Sequence, residues 1–231
     1  MAKGIFITGT DTGVGKTLIA GGLAAVMREK GVNVGVMKPV ESGCSRKNGK
    51  LQPQDALFLR EMADCQDELE LVNLYALEHP LAPAMAAEIE QVEIKKAAIL
   101  KTFKILQSRH EFIIVEGVGG LLVPLYDDYF VAHLVKDMDL PLLIVARASL
   151  GTINHTLLTS SYAQNEGLKV RGLVMNRTSA FTGEADALNP SAIKRWMEAP
   201  LLGVMPFIPD VSKTSIIEAV RNNLDTGLIF F

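Results

Sequence analysis

Lys16 and Thr17 close the segment Gly9-Thr10-Asp11-Thr12-Gly13-Val14-Gly15, which lies between an apolar run (Gly4 to Thr8) and a helical-looking one (Leu18 to Lys30). Strand, glycine-rich turn and helix is the context in which such a stretch cradles phosphate. Glycines let the backbone approach oxygen closely, and the amides from Gly13 to Leu18 at the helix start point positive dipole at it. Lys16 would reach the β- and γ-phosphates and the Thr17 hydroxyl would ligate magnesium. The usual spacing puts the first glycine at position 10, where Thr10 stands with Gly9 before it, so this is a variant P-loop.

Further groups fall at the ends of other apolar runs. Val32 to Val36 reads as a second strand, followed by Lys38-Pro39-Val40-Glu41-Ser42-Gly43. In open α/β sheets ligands bind at the carboxyl ends of strands, so Lys38 and Ser42 fall on the P-loop side; an exposed loop lysine is the alternative. Pro53 opens a helix to about Cys65, and Asp55 in its first turn either complements the helix dipole or faces the site. Phe112 to Val115 is the cleanest buried strand. It ends in Glu116, where a P-loop ATPase places its second magnesium-associated acid, and then in Gly117-Val118-Gly119-Gly120. Lys16 with Thr17, Asp55 and Glu116 thus supply the parts of a magnesium–ATP site that neutralises and aligns a transferring phosphoryl group.

The elements that must position these groups alternate. Strands are expected near 4–8, 32–36, at the start of 71–92, and near 112–116, 142–146, 170–176 and 201–205, with helices after most of them. Near-continuous apolar strands fit a parallel sheet covered on both faces. The expected fold is α/β: one doubly wound P-loop domain over 1–231, with a mainly parallel seven-stranded sheet and helices on both sides. Ser45 to Gln52 reads as a mobile loop, Pro80 and Pro83 argue against a regular helix between 71 and 92, and Phe181 to Pro190 reads as a loop. The apolar tail Leu228-Ile229-Phe230-Phe231 suggests docking or a subunit contact.

The 231 residues are 48% hydrophobic and 21% charged, enough to bury a substantial core, and the formal charge of −3 gives no electrostatic case for nucleic acid. Cys44 and Cys65 suit a reducing compartment, and His79, His110, His133 and His155 show no metal-ligand spacing. Leu18 to Met27 loosely imitates a signal peptide, but Asp11 precedes it and Arg28-Glu29-Lys30 closes it. No apolar run reaches membrane-spanning length, so a cytoplasmic protein is expected.

With these residues in view, the sequence resembles the dethiobiotin synthetases, ATP-dependent carboxylases that close the ureido ring in biotin synthesis. Thr8 to Thr12 through Lys16-Thr17, Lys38-Pro39-Val40 with Ser42-Gly43, Asp55, and Val115 to Gly120 carry the resemblance. Gly151-Thr152-Ile153-Asn154-His155, Asn176, and Gly203 with Pro206 complete it, across residues 4 to about 207. The resemblance implies ATP as co-substrate, Mg2+ held by Thr17, Asp55 and Glu116, and Lys38 with Lys16 as the catalytic lysines. It implies nucleotide contacts from Gly13 to Leu18, Asp55, Glu116 to Gly119, Asn176, Arg177, Met205, Pro206 and Phe207. The substrate, 7,8-diaminononanoate, would be held by Thr12, Lys38, Ser42, Gly151 and Asn154. Gly151 and Asn154 would come from a second subunit, making the homodimer functional. Neither nucleic acid nor membrane is an implied partner. The alternative is a ParA/MinD-like switch ATPase, which usually carries a signature lysine where Thr10 stands, together with a DNA- or membrane-binding element.

Overall fold

The computed structural model describes residues 3–181 and 183–230. The chain opens with β1 (Lys3–Gly9), passes through the glycine-rich loop into α1 (Lys16–Glu29), and returns as β2 (Val34–Met37). A peripheral stretch follows: β3 (Val40–Ser42), β4 (Ser45–Lys47), β5 (Lys50–Gln52), α2 (Gln54–Met62), α3 (Leu69–Val72), β6 (Tyr75–Leu77) and α4 (Pro83–Glu90). α5 (Lys96–Arg109) then leads into β7 (Phe112–Glu116). β8 (Pro124–Tyr126) and β9 (Tyr129–Phe130) form a small ribbon before α6 (Val131–Met138) and β10 (Leu142–Arg147). α7 (Thr152–Asn165), β11 (Val170–Asn176), α8 (Glu184–Ile193), β12 (Leu201–Met205), α9 (Lys213–Asn223) and α10 (Thr226–Phe230) complete the order.

The central sheet is parallel, in the order β12-β11-β10-β1-β7-β2. Its strands are apolar on both sides because helices cover both faces, and every residue of β7 is buried. One face packs against Ile19 and Leu23 of α1, Leu59 of α2 and Val220 of α9. The other packs against Ile99 and Phe103 of α5, Leu134 of α6 and Ala163 of α7. No helix among the described residues is long and apolar enough to cross a membrane.

Several expectations need correcting. Among the described residues the central sheet has six strands and not seven. The strand-like start of 71–92 gives the end of α3 and then β6, and β6 pairs with β3 in a separate two-stranded sheet. Pro39 and Pro80 bracket that pair, and the chain leaves the main sheet to build a lobe around the site. Ser45 to Gln52 is an antiparallel hairpin, turned by Asn48 (φ 52°) and Gly49 (φ 77°). Asn-Gly supplies the two positive-φ residues that a two-residue hairpin loop requires. Pro83 does not exclude a helix; it starts α4 at a position where its missing N–H costs nothing. Residues 184–193 are helical despite Pro190, with the Asp186 carboxylate accepting from Gly183 N at 3.1 Å; Thr182 lies outside the described residues.

The apolar tail docks on its own chain. Ile229 and Phe230 are buried, and the Phe230 ring meets Phe112 edge-on with centroids 5.5 Å apart; Phe231 lies outside the described residues. Both cysteines are free. His110 is drawn into a network at the amino ends of β2 and β7. Its Nε2 lies 2.6 Å from Asp67 Oδ2, which also accepts from Cys65 Sγ at 3.2 Å, while Arg109 donates to Asp67 Oδ1 at 2.7 Å.

Candidate active site

The loop after β1 turns back on itself at Gly9. A Cβ there would lie 2.7 Å from Asp11 O and 3.0 Å from Lys16 Nζ, so the loop needs a glycine at position 9. Gly15 sits in left-handed backbone (φ 94°), where a Cβ would come within 2.1 Å of Asn176 Nδ2. The same Asn176 Nδ2 donates to Val14 O at 3.0 Å, tying the loop to the end of β11. No side chain caps α1 and its first turn holds no acid, so its leading amides remain free for an anion. Lys16 is buried and reaches back to Asp11 O at 3.3 Å. Burial, and then the nearby Lys38 ammonium, pull its pKa down to about 8.

Lys38 is the hub of the charged cluster. Its Nζ lies 2.6 Å from Glu116 Oε1 and 2.8 Å from Asp55 Oδ2, and donates to Gly117 O at 3.1 Å. Burial works against its charge, but Glu116 and Asp55 outweigh that and hold the ammonium above its ordinary range. Its backbone is fixed from two sides, with Lys38 N donating to Val72 O at 2.8 Å and Asn73 Nδ2 donating to Lys38 O at 2.7 Å. Burial drives the Glu116 carboxyl above its usual range, and Lys38 offsets that only in part. Lys38 Nζ and, at 2.9 Å, Thr17 Oγ1 both donate to Oε1. For Asp55 burial favours the neutral acid, but Lys38 wins and holds the carboxyl below its usual range.

One hydroxyl and two carboxylates therefore converge from α1, α2 and β7. The set is oxygen-only, which suits a hard cation such as Mg2+. Among the described residues, the buried Glu116 Oε2 has no hydrogen-bond partner, so a lone pair is available where such an ion would bind.

Two residues that the sequence did not single out belong here. Glu41 is buried, and its carboxylate accepts from Asp55 N at 3.0 Å and from Ala56 N at 3.1 Å. Arg147, at the end of β10, donates to Asp11 Oδ2 at 2.9 Å and to Thr12 O at 3.2 Å, bracing the loop from outside. Only their neighbourhoods were legible: Glu41 precedes Ser42 and Arg147 ends an apolar strand. Their partners lie 14 or more positions away.

A cavity of about 460 Å3 is lined by Thr12, Gly13, Gly15, Lys16, Thr17, Lys38, Glu41, Ser42, Asp55, Glu116, Val118 and Gly119, with Pro80, Leu81 and Val123 as an apolar wall. Val14 is instead buried in the core and Leu18 packs against it. Gly117 meets the site through its carbonyl. Asn176 ends β11 beside Met205 of β12, and Arg177 follows it with its N donating to Met205 O at 3.1 Å; Pro206 and the partly exposed Phe207 follow β12. This rim joins the site through Asn176, whose buried Oδ1 has no partner among the described residues. Gly151 and Asn154 do not line this cavity; both are exposed at the start of α7. Another cavity of about 500 Å3, between Phe103, Leu140 and Phe230, contains none of the glycine-rich loop.

Comparison with known proteins agrees with this geometry. The family model described as an AAA domain matches residues 3–215. An ATP-dependent dethiobiotin synthetase of Thermodesulfovibrio yellowstonii is 41% identical, covering 97% of each chain. That of Bacillus licheniformis is 45% identical over 98% of this chain and 95% of its own. Among solved structures, the septum site-determining protein MinD of Pyrococcus horikoshii with Mg-ADP superposes with a TM-score of 0.58 at 18% identity, covering 95% of this chain and 86% of its own. A ParA family ATPase of Chlorobium tepidum gives 0.57 at 17%, covering 99% and 96%. At such identities these two establish the shared P-loop fold alone, whereas the relatives near 40% extend over nearly the whole sequence. The chain belongs to the ATP-dependent dethiobiotin synthetases.

Proposed function

We propose that this protein, as one domain over 1–231, converts 7,8-diaminononanoate, CO2 and ATP to dethiobiotin, ADP and phosphate. One amine of the diamine adds to CO2 as a carbamate, whose oxygen takes the γ-phosphoryl group of ATP. The second amine then attacks the carbamate carbon, phosphate leaves with the C–O electron pair, and a five-membered cyclic urea closes. Carbamate is a poor electrophile, and phosphorylation supplies its leaving group. Holding both amines together makes ring closure intramolecular, with a large effective molarity.

The observation that carries this reading is a single cavity holding a phosphate cradle, Lys38 and an apolar wall side by side. The amides from Gly13 to Leu18 and Lys16 would hold the phosphates. Thr17, Asp55 and Glu116 would hold Mg2+, which neutralises charge on the β- and γ-phosphoryl oxygens. Lys38 would face carbamate and γ-phosphate together. Thr12 and Ser42 would fix the diamine end, while Leu81 and Val123 flank its aliphatic chain. Asn176 Oδ1 is an acceptor suited to the adenine amine, with Arg177 and Met205 to Phe207 as the surrounding rim.

The amides of Gly151 and the Asn154 side chain would receive the substrate carboxylate from a second copy of the chain. Their exposure, and that of Leu150 (88%) and Leu158 (62%) beside them, supports a dimer that covers this face. A cytoplasmic location accords with two free, buried thiols.

The test is phosphate release with Mg-ATP and bicarbonate, with and without 7,8-diaminononanoate. Diamine-dependent release with a cyclic urea detected by mass spectrometry is expected. Release that ignores the diamine and responds to DNA or lipid would instead mark a switch ATPase.

A further inference from the structure

α2 lacks the usual means of starting a helix. Its N-cap is Pro53, which offers no side-chain acceptor, and no residue of the segment caps the first amides. The cap is supplied from a distance. Glu41 on β3 places Oε1 on Asp55 N at 3.0 Å and Oε2 on Ala56 N at 3.1 Å. Burying a carboxylate is costly unless it is paired or well hydrogen-bonded, and Glu41 makes no ion pair among the described residues. A serine at 53 would satisfy an amide at lower cost, so the buried acid needs another reason.

The reason lies in what the two ends carry. Glu41 stands three residues after Lys38, and the first amide it holds belongs to Asp55, whose Oδ2 is 2.8 Å from Lys38 Nζ. The Lys38–Ser42 stretch and the start of α2 are thereby joined twice, once by side chains and once through the backbone. We propose that Glu41 is the positioning residue for Asp55: it pins the Asp55 backbone so that the carboxylate can pass between Lys38 and a divalent cation by side-chain rotation alone. This rests on the proposed assignment of Asp55 as a magnesium ligand. Groups that orient a metal ligand are typically worth tenfold or more in metal affinity.

The test uses the full chain with a non-hydrolysable ATP analogue and Mn2+ in place of Mg2+, with free Mn2+ measured by electron paramagnetic resonance. Glu41→Ala should weaken Mn2+ about tenfold, with metal-free nucleotide affinity unchanged. Glu41→Gln keeps one acceptor oxygen and should recover most of the loss. Amide exchange should quicken at Asp55 and Ala56 in Glu41→Ala and stay unchanged in α1. Wild-type Mn2+ affinity in both Glu41 variants, while Asp55→Asn weakens it, would overturn the positioning role alone. Wild-type affinity in Asp55→Asn would overturn the ligand assignment, and the positioning role with it. If Glu41→Ala does not fold, Glu41→Leu, which removes both acceptors and keeps the bulk, decides: a Mn2+ affinity between those of wild type and Asp55→Asn supports the role, and equality with wild type overturns it.

Discussion

Lys38 holds two carboxylates that would otherwise face each other as like charges, and its ammonium stands in the cavity wall beside the phosphate loop. Lys38→Ala should lower kcat by roughly 10²- to 10³-fold, the usual loss when a charge-stabilising donor is removed from a reaction. ATP affinity should change little, and turnover near wild type would remove Lys38 from the reacting groups. Lys16→Ala should instead abolish nucleotide binding, measured by calorimetry with the ATP analogue. Cys44 makes a separate prediction, because burial, and then Glu41, push its thiol up from 9.0 to about 12. Above pH 9 the unfolded chain loses a proton that the native state keeps, so stability should fall as pH rises from 9 towards 12. Urea midpoints across that range should fall less steeply in Cys44→Ala, and parallel slopes would refute the shift.

Elements set by buried apolar runs and glycine turns were the legible ones. β1, β7, β10 and β11 begin or end within a residue or two of where their sequences suggest, because two covered faces confine the polar positions to the strand ends. The phosphate loop was readable for a related reason, since its chemistry and its conformation both demand glycine. Elements fixed by single-residue backbone chemistry were less so. Asn48-Gly49 and Pro83 each read locally as a break, yet one turns a hairpin and the other opens a helix. α10 depends on tertiary packing: Phe230 is buried against Phe112 at the far edge of the core. Phe230→Ala should cost about 3 kcal/mol, the lower end for a buried phenylalanine, without altering the Mg-ATP dependence of turnover. A loss below about 0.5 kcal/mol in denaturant titrations, the range of ordinary surface changes, would mean that the tail is only resting on the surface.

For the molecule as a whole, the decisive question is whether one chain suffices. If Asn154 serves the partner's site, Lys38→Ala and Asn154→Ala are each impaired alone. Mixed chains form one intact site in each heterodimer, so an equal mixture should recover about a quarter of wild-type activity, given the reciprocal contacts of a two-fold interface. No recovery, in a mixture shown by mass spectrometry to exchange subunits, would mean that Lys38 and Asn154 of the same chain serve the same site. The contact between Lys38, Asp55 and Glu116 also carries a consequence for timing. If those carboxylates receive magnesium, the lysine meant for carbamate stays engaged until they are claimed. Loading the phosphoryl donor and releasing the lysine then become a single interlock. An empty enzyme would be held safe by its own ion pairs, and carbamate would find its lysine only in a site already charged to use it.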